Sequence, residues 1–191
     1  MPSSVSSTTA YELDTDEDTE ITSLVIDTDS DLTALYNYKV GANYYAFNKN
    51  GQMQSGLIKM GGKMYYYGAS SDGSRKNGAQ TIDDIKFFFA TADSKSNHYY
   101  ENAGINGYYK GYIYENGMIQ VANDDKYEKK DVTIDGTVYT FIVNSKGKVQ
   151  LSDEAYEDGD DVLFGGATFT YDEESKKSAT YGSIATVVEA E

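Results

Sequence analysis

The chain carries 19 tyrosines in 191 residues. A tyrosine ring can stack on a sugar face while its hydroxyl makes hydrogen bonds, so tyrosines raised on a strand surface suit glycan binding. Tyr44, Tyr66, Tyr108, Tyr109 and Tyr112 are the candidates for such a platform. The stretch GINGYYKGYIY, residues 104–114, sets tyrosines among glycines, which lets a ligand approach the backbone. The competing reading is that the same rings pack hairpin on hairpin, and the same glycine spacing suits a bulged strand.

Other reactive side chains form no recognisable site. DTDSD places Asp27, Asp29 and Asp31 at the spacing that begins an EF-hand loop. Leu32 stands where that loop needs glycine, and Tyr38 where it needs a bidentate glutamate, which excludes it. EDGDD, residues 157–161, reads as a solvated acidic loop. The single histidine, His98, has no neighbouring nucleophile or orienting group to make it a general base. No two carboxylates are singled out as a glycosidase pair, and no Gly-Lys-Ser/Thr end marks a phosphate loop. With no cysteine there is no thiolate nucleophile and no cysteine-ligated zinc. The expectation is therefore a protein without catalytic residues, metal or cofactor.

The elements that would carry the tyrosines are strands. Tyrosine and glycine are abundant, proline occurs once, and Leu and Ala never recur at a sustained helical period. The fold class expected is all-β. A net charge of −15 repels nucleic acid and anionic membrane surfaces. No apolar run approaches the roughly 20 residues that span a bilayer. The start, MPSSVSSTTA, has neither the basic end nor the apolar run of a secretory signal, so an exported chain would be the mature part.

Two series of turns run through the sequence. One precedes the aromatic runs, at Gly41, Gly62, Asp84, Gly107, Gly136 and Gly166, with steps of 21, 22, 23, 29 and 30 residues. The other follows them, at Gly51, Gly73, Gly117 and Gly147, with steps of 22, 44 and 30. The longest step is a double period whose missing member falls in TADSKSN. Asn-Gly, Asp-Gly and Gly-Gly supply the positive φ of tight hairpin turns, so each unit reads as a hairpin of about 20 to 30 residues. A lone hairpin is marginal in water, and such units must stack through their rings. Strand alternation sets Tyr66 opposite to Tyr65 and Tyr67, and Tyr44 opposite to Tyr45 and Phe47.

The boundaries follow. Residues 1–20 are Ser/Thr-rich and then acidic, the composition of a flexible segment. Residues 21–34 hold a first strand and turn, 35–175 an array of about six hairpins, and 176–191 a C-terminal capping strand or tail.

GANYYAFNKNGQMQSGLIKMGGKMYYY, residues 41–67, resembles the cell-wall-binding repeats of Gram-positive surface proteins, the choline-binding and glucan-binding type. GYIYENGMIQVA and GTVYTFIVNSKGKVQLS are weaker echoes. The resemblance implies hairpins stacked as a β-solenoid or extended meander, an extracellular or cell-surface location, and a cell-wall polysaccharide or glucan as partner. In that family choline sits in a tryptophan-containing aromatic box, and this chain has no tryptophan. Leu57, Ala79 and Ile105 follow the closing glycines, while Asn43, Met64 and Lys86 open the strands, so choline does not carry over. A structural spacer or self-association module is the alternative function.

Overall fold

A computed structural model of the protein describes residues 4–5, 8–28, 35–92, 101–123, 126–134, 136–150, 155–158, 161–164, 168–171, 179–182 and 186–189. All of the regular structure in them is β. Near the N-terminus lie β1 (Ser4–Val5), β2 (Thr8–Thr15) and β3 (Thr22–Ile26). There follow β4 (Leu35–Val40), β5 (Asn43–Phe47), β6 (Met53–Gln54), β7 (Leu57–Met60), β8 (Lys63–Tyr66), β9 (Gly78–Ile82) and β10 (Ile85–Phe89). Next come β11 (Gly107–Tyr109), β12 (Tyr112–Glu115), β13 (Met118–Ile119), β14 (Tyr127–Ile134) and β15 (Thr137–Asn144). The last are β16 (Ala155–Asp158), β17 (Asp161–Phe164), β18 (Thr168–Tyr171), β19 (Ala179–Gly182) and β20 (Thr186–Glu189). The all-β class expected from composition is the class observed.

Every strand pairing is antiparallel, and most join neighbours in sequence. The sheets run β1-β4-β5-β6, β3-β2-β7-β8, β11-β12-β13-β10-β9, β14-β15, β16-β17-β20 and β18-β19. Tight turns close hairpins at Gly41, Gly51, Gly62, Gly117 and Gly136 as the sequence placed them, whereas Gly107 lies within β11 and the turn of that hairpin falls at Lys110 and Gly111. Asp84 fills the place that glycine holds elsewhere in its series, with Asp83 and Asp84 at φ +46° and +65°. Aspartate tolerates this region because its short side chain bonds locally.

Strand alternation gives the hairpins two buried faces. In β7 and β8, Leu57, Met64 and Tyr66 join a cluster with Phe87 and Phe89 of β10, while Ile58, Met60 and Tyr65 join one with Leu35, Ala46 and Tyr67. β10 repeats the division: Phe87 and Phe89 face that first cluster, and Phe88 packs with Ile105, Tyr114 and Ile119. In β11 and β12, Tyr109, Tyr112 and Tyr114 join Phe88, whereas Tyr108 and Ile113 pack with Val132, Phe141 and Val143. On β15, Ile142 turns the other way, to Tyr127 and Tyr156. From β7 to β15, then, strands present side chains to one apolar cluster on each face instead of to a single core.

Backbone bonds stitch the layers together. The amide of Arg75 donates to the carbonyl of Tyr44 (2.8 Å), that of Gly104 to Met64 (2.7 Å) and that of Val149 to Gly111 (2.9 Å). The turns share a design as well. Asn48 Oδ1 accepts from the amides of Asn50 and Gln52, and Asn144 Oδ1 from those of Lys146 and Lys148, each at 3.0 Å. A Cβ on Gly73 would lie 2.4 Å from Met53 Sδ, and one on Gly147 2.7 Å from Ile119 Cδ1. In both places glycine leaves room for a side chain of the preceding turn segment.

The N-terminus departs from expectation. Residues 8–15, placed by composition in a flexible segment, form β2, which lies between β3 and β7 with Tyr11 opposite Leu57 and Ala10 opposite Ile58. Tyr11 and Leu13 alternate toward the cluster of Leu57, Phe87 and Phe89. Two apolar residues at period two sufficed, although the acidic run beside them dominates the composition. The C-terminal stretch contributes β19 and β20, and β20 pairs with β17. His98, Asp29, Asp31 and Gly166 lie outside the described residues, as do Gly159 and Asp160 of EDGDD.

Candidate functional site

Among the described residues lies an open cleft of about 930 Å³. Four turn-bearing segments meet there: residues 19–24 at the start of β3, residues 84–86 opening β10, residues 115–123 around β13, and Ser145–Lys146 after β15. These segments come from distant parts of the sequence, and the layered hairpins bring their turns to one place.

The lining combines polar and charged side chains with apolar ones such as Leu24, Ile85, Met118 and Val121. Lys86, Lys130 and Lys146 face Glu20, Asp84 and Glu115, so the cleft is near neutral in a chain of charge −15. The side chains of Asn116, Gln120 and Asn123 add amide donors and acceptors, and Tyr112 adds an aromatic ring. Several are positioned by their own bonds. Gln120 Nε2 donates to the carbonyl of Met118 (3.1 Å), the amide of Asn116 donates to Asn106 Oδ1 (2.6 Å), and Lys130 Nζ donates to Glu128 Oε1 (2.7 Å). Amides, hydroxyls and ammonium groups around one ring are the donor set that binds a neutral polyol. Among the described residues no group of three or more His, Cys, Asp or Glu is arranged to hold a metal.

Of the five candidate tyrosines, Tyr112 alone lines this cleft. Tyr66 is half-buried and stacked on Phe89, with ring centroids 6.0 Å apart and planes 21° apart. Burial raises its phenol pKa, and the charge of Asp83 adds to the effect. Tyr109 packs on Phe88 at 4.6 Å, and Tyr108 packs against the cluster of Ile113 and Phe141. Tyr44 lies in another grouping, where Arg75 Cζ sits 4.3 Å from its ring centroid and 5.5 Å from that of Tyr65. The five rings therefore do not form one row. Sequence reading missed Arg75 and the cleft segments at 19–24 and 120–123. One signal was available: Arg75 is the only arginine in the chain.

Two buried phenols give a pH-dependent prediction. Tyr67 is fully buried and donates to Asn37 Oδ1 at 2.6 Å; burial pushes its pKa up to about 12 against an ordinary 10, while Arg75 opposes the rise. Burial likewise pushes Tyr114 up to about 12, with Tyr112 and Tyr109 adding to it. In each case the unfolded phenol loses its proton first. The stabilisation is complete below pH 10 and is lost as pH rises toward 12. The melting temperature should fall through that window, and Tyr67→Phe should flatten part of the fall. A melting temperature constant to pH 12 would contradict the burial of these groups.

The class defined by this architecture is an all-β protein of antiparallel hairpins, several of whose turns converge on an open cleft of mixed polarity. No family model matches the chain, and no curated protein matches it. Among solved structures, choline-binding protein F from Streptococcus pneumoniae, crystal form II, is 17% identical, covering 79% of this chain and 44% of its own, at a TM-score of 0.42. A complex of CbpF with ipratropium, obtained by soaking, is 15% identical over 83% of this chain and 41% of its own, at a TM-score of 0.37. The chain spans less than half the length of either. At these values the likeness identifies neither a family nor a ligand.

Proposed function

We propose that this chain is a non-catalytic, extracellular module that binds a cell-wall polysaccharide or glucan, with the open cleft as its binding surface. The observation that carries the reading is the lining of that cleft: amide, hydroxyl and ammonium groups of balanced charge beside the ring of Tyr112. A sugar presents hydroxyls to such donors and a C–H face to such a ring. An open cleft also admits a chain, which a closed pocket does not.

Calorimetric titration with soluble glucans, teichoic acid and choline tests it. A glycan is expected to release heat, and Tyr112→Leu or Gln120→Ala to weaken binding about tenfold, near 1.4 kcal/mol. Choline is expected to give no signal. Absence of heat with every glycan would sink the proposal and favour a spacer. That second reading draws on the rings of Tyr66, Tyr108 and Tyr109, which pack against neighbouring clusters.

A further inference from the structure

β3 is the outer strand of its sheet, and among the described residues no other strand pairs with its far edge. The ladder to β2 fixes which of its backbone groups look outward. The Asp27 amide donates to the carbonyl of Ala10 and the Asp16 amide to that of Ile21, each at 3.0 Å. Bonded residues alternate along an antiparallel strand, so Ser23 and Val25 also turn toward β2, while Thr22, Leu24 and Ile26 turn their N–H and C=O away from it.

This open edge borders the cleft. Ile21, Thr22, Ser23 and Leu24 all line it. Neighbouring side chains of a strand point to opposite faces, so a cleft that meets four residues in a row runs along the strand's edge and not over one face. Exposed Ile26 stands outside the lining. Leu24, Ile85 and Met118 line the cleft and also share one apolar cluster, which gives the opening an apolar patch. Another part of the lining carries Asn116, Gln120 and Asn123. The bond from Gln120 Nε2 to the Met118 carbonyl, 3.1 Å, leaves Oε1 of that side chain as an acceptor.

These parts together suit one neutral group. A trans secondary amide presents its C=O and its N–H on opposite sides, as a strand does between two neighbours. An acetamido group held in the cleft accepts from an outward amide of β3, donates across to a side-chain carbonyl such as that of Gln120, and lays its methyl on the apolar patch. A hydroxyl in its place has no methyl and cannot reach both sides. Resting on the cleft reading above, we propose that the cleft selects N-acetylated sugars, with the open edge of β3 at Thr22 and Leu24 recognising the acetamido group.

Calorimetry on the full chain with chitotetraose and cellotetraose tests it, because the two share a backbone and differ in bearing acetamido or hydroxyl groups. Chitotetraose is expected to bind at least about tenfold more tightly. Amide exchange followed by NMR locates the contact. The Thr22 and Leu24 amides, open in the free protein, are expected to exchange more slowly once chitotetraose is added, while that of Ile26, outward but beyond the cleft, stays unchanged. Equal affinities, or tighter binding of cellotetraose, overturn the selection and leave the cleft reading standing. Binding of another glycan without chitotetraose does the same, as does bound chitotetraose with both amides still exchanging freely. Silence with every glycan removes both readings together.

Discussion

Phe89→Ala is expected to lower the free energy of unfolding by about 3–5 kcal/mol, the usual cost of emptying a fully buried aromatic position. Phe89 has no exposed surface and stacks on two rings, Phe87 at 6.0 Å and 6°, and Tyr66 at 6.0 Å and 21°. Neither partner can collapse into the gap, because each is held on a paired strand. The cluster also contains Tyr11, Leu13 and Leu24, so the cavity opens beside the N-terminal hairpin as well. Urea denaturation checks the result. Lys86, an exposed residue of the open cleft on the same strand, offers the comparison: Lys86→Ala should change stability by no more than about 0.5 kcal/mol. A loss below about 1 kcal/mol for Phe89→Ala would mean that these layers are not packed as described.

Gly104→Ala is the second large effect, and its cause is backbone contact. The new Cβ would lie 2.5 Å from the carbonyl oxygen of Asn116, 2.7 Å from its carbon and 2.8 Å from the nitrogen of Gly117. No rotamer change relieves a clash with main chain. The segments must part, which strains the bonds from the Phe88 amide to Gly117 (2.8 Å) and from the Gly117 amide to Ile105 (2.9 Å). The expected loss is about 3 kcal/mol, at the upper end for overpacking. Gly136→Ala is the comparison: it has φ +82° and nothing within 4 Å, so only the left-handed backbone cost of about 1–2 kcal/mol applies. Equal losses in thermal or urea unfolding would rule out close approach as the cause.

Much of this architecture was legible because hairpins are local objects. The turn at Gly41 and the Asn-Gly turn at Gly51 announce themselves through φ chemistry, and the strands between them through alternation. Alternation also separated Tyr66 from Tyr65 and Tyr67, which pack into different clusters. Pairings between distant segments were not legible. Nothing in TTAYELDT names Leu57–Met60 as its partner, since Tyr11 and Leu13 find their cluster only after the later hairpins exist. The cleft was hidden for the same reason, being assembled from turns far apart in sequence. The tyrosine platform rested on counting rings. Whether a ring on a strand meets solvent or another layer depends on what covers it, and for Tyr66 and Tyr109 that is a phenylalanine from a neighbouring strand.

The presence of a cluster on each face of a strand carries a consequence for how such a chain grows. Where a cluster is shared by consecutive segments, as Ile113 shares one with Val132 and Phe141, duplicating one hairpin would create one new junction, whereas the cluster of Tyr11, Leu57 and Phe87 ties distant segments together. Copy number is then free to drift while side chains at each junction diverge. The unequal steps of the first turn series, 21 to 30 residues, are the latitude such growth permits.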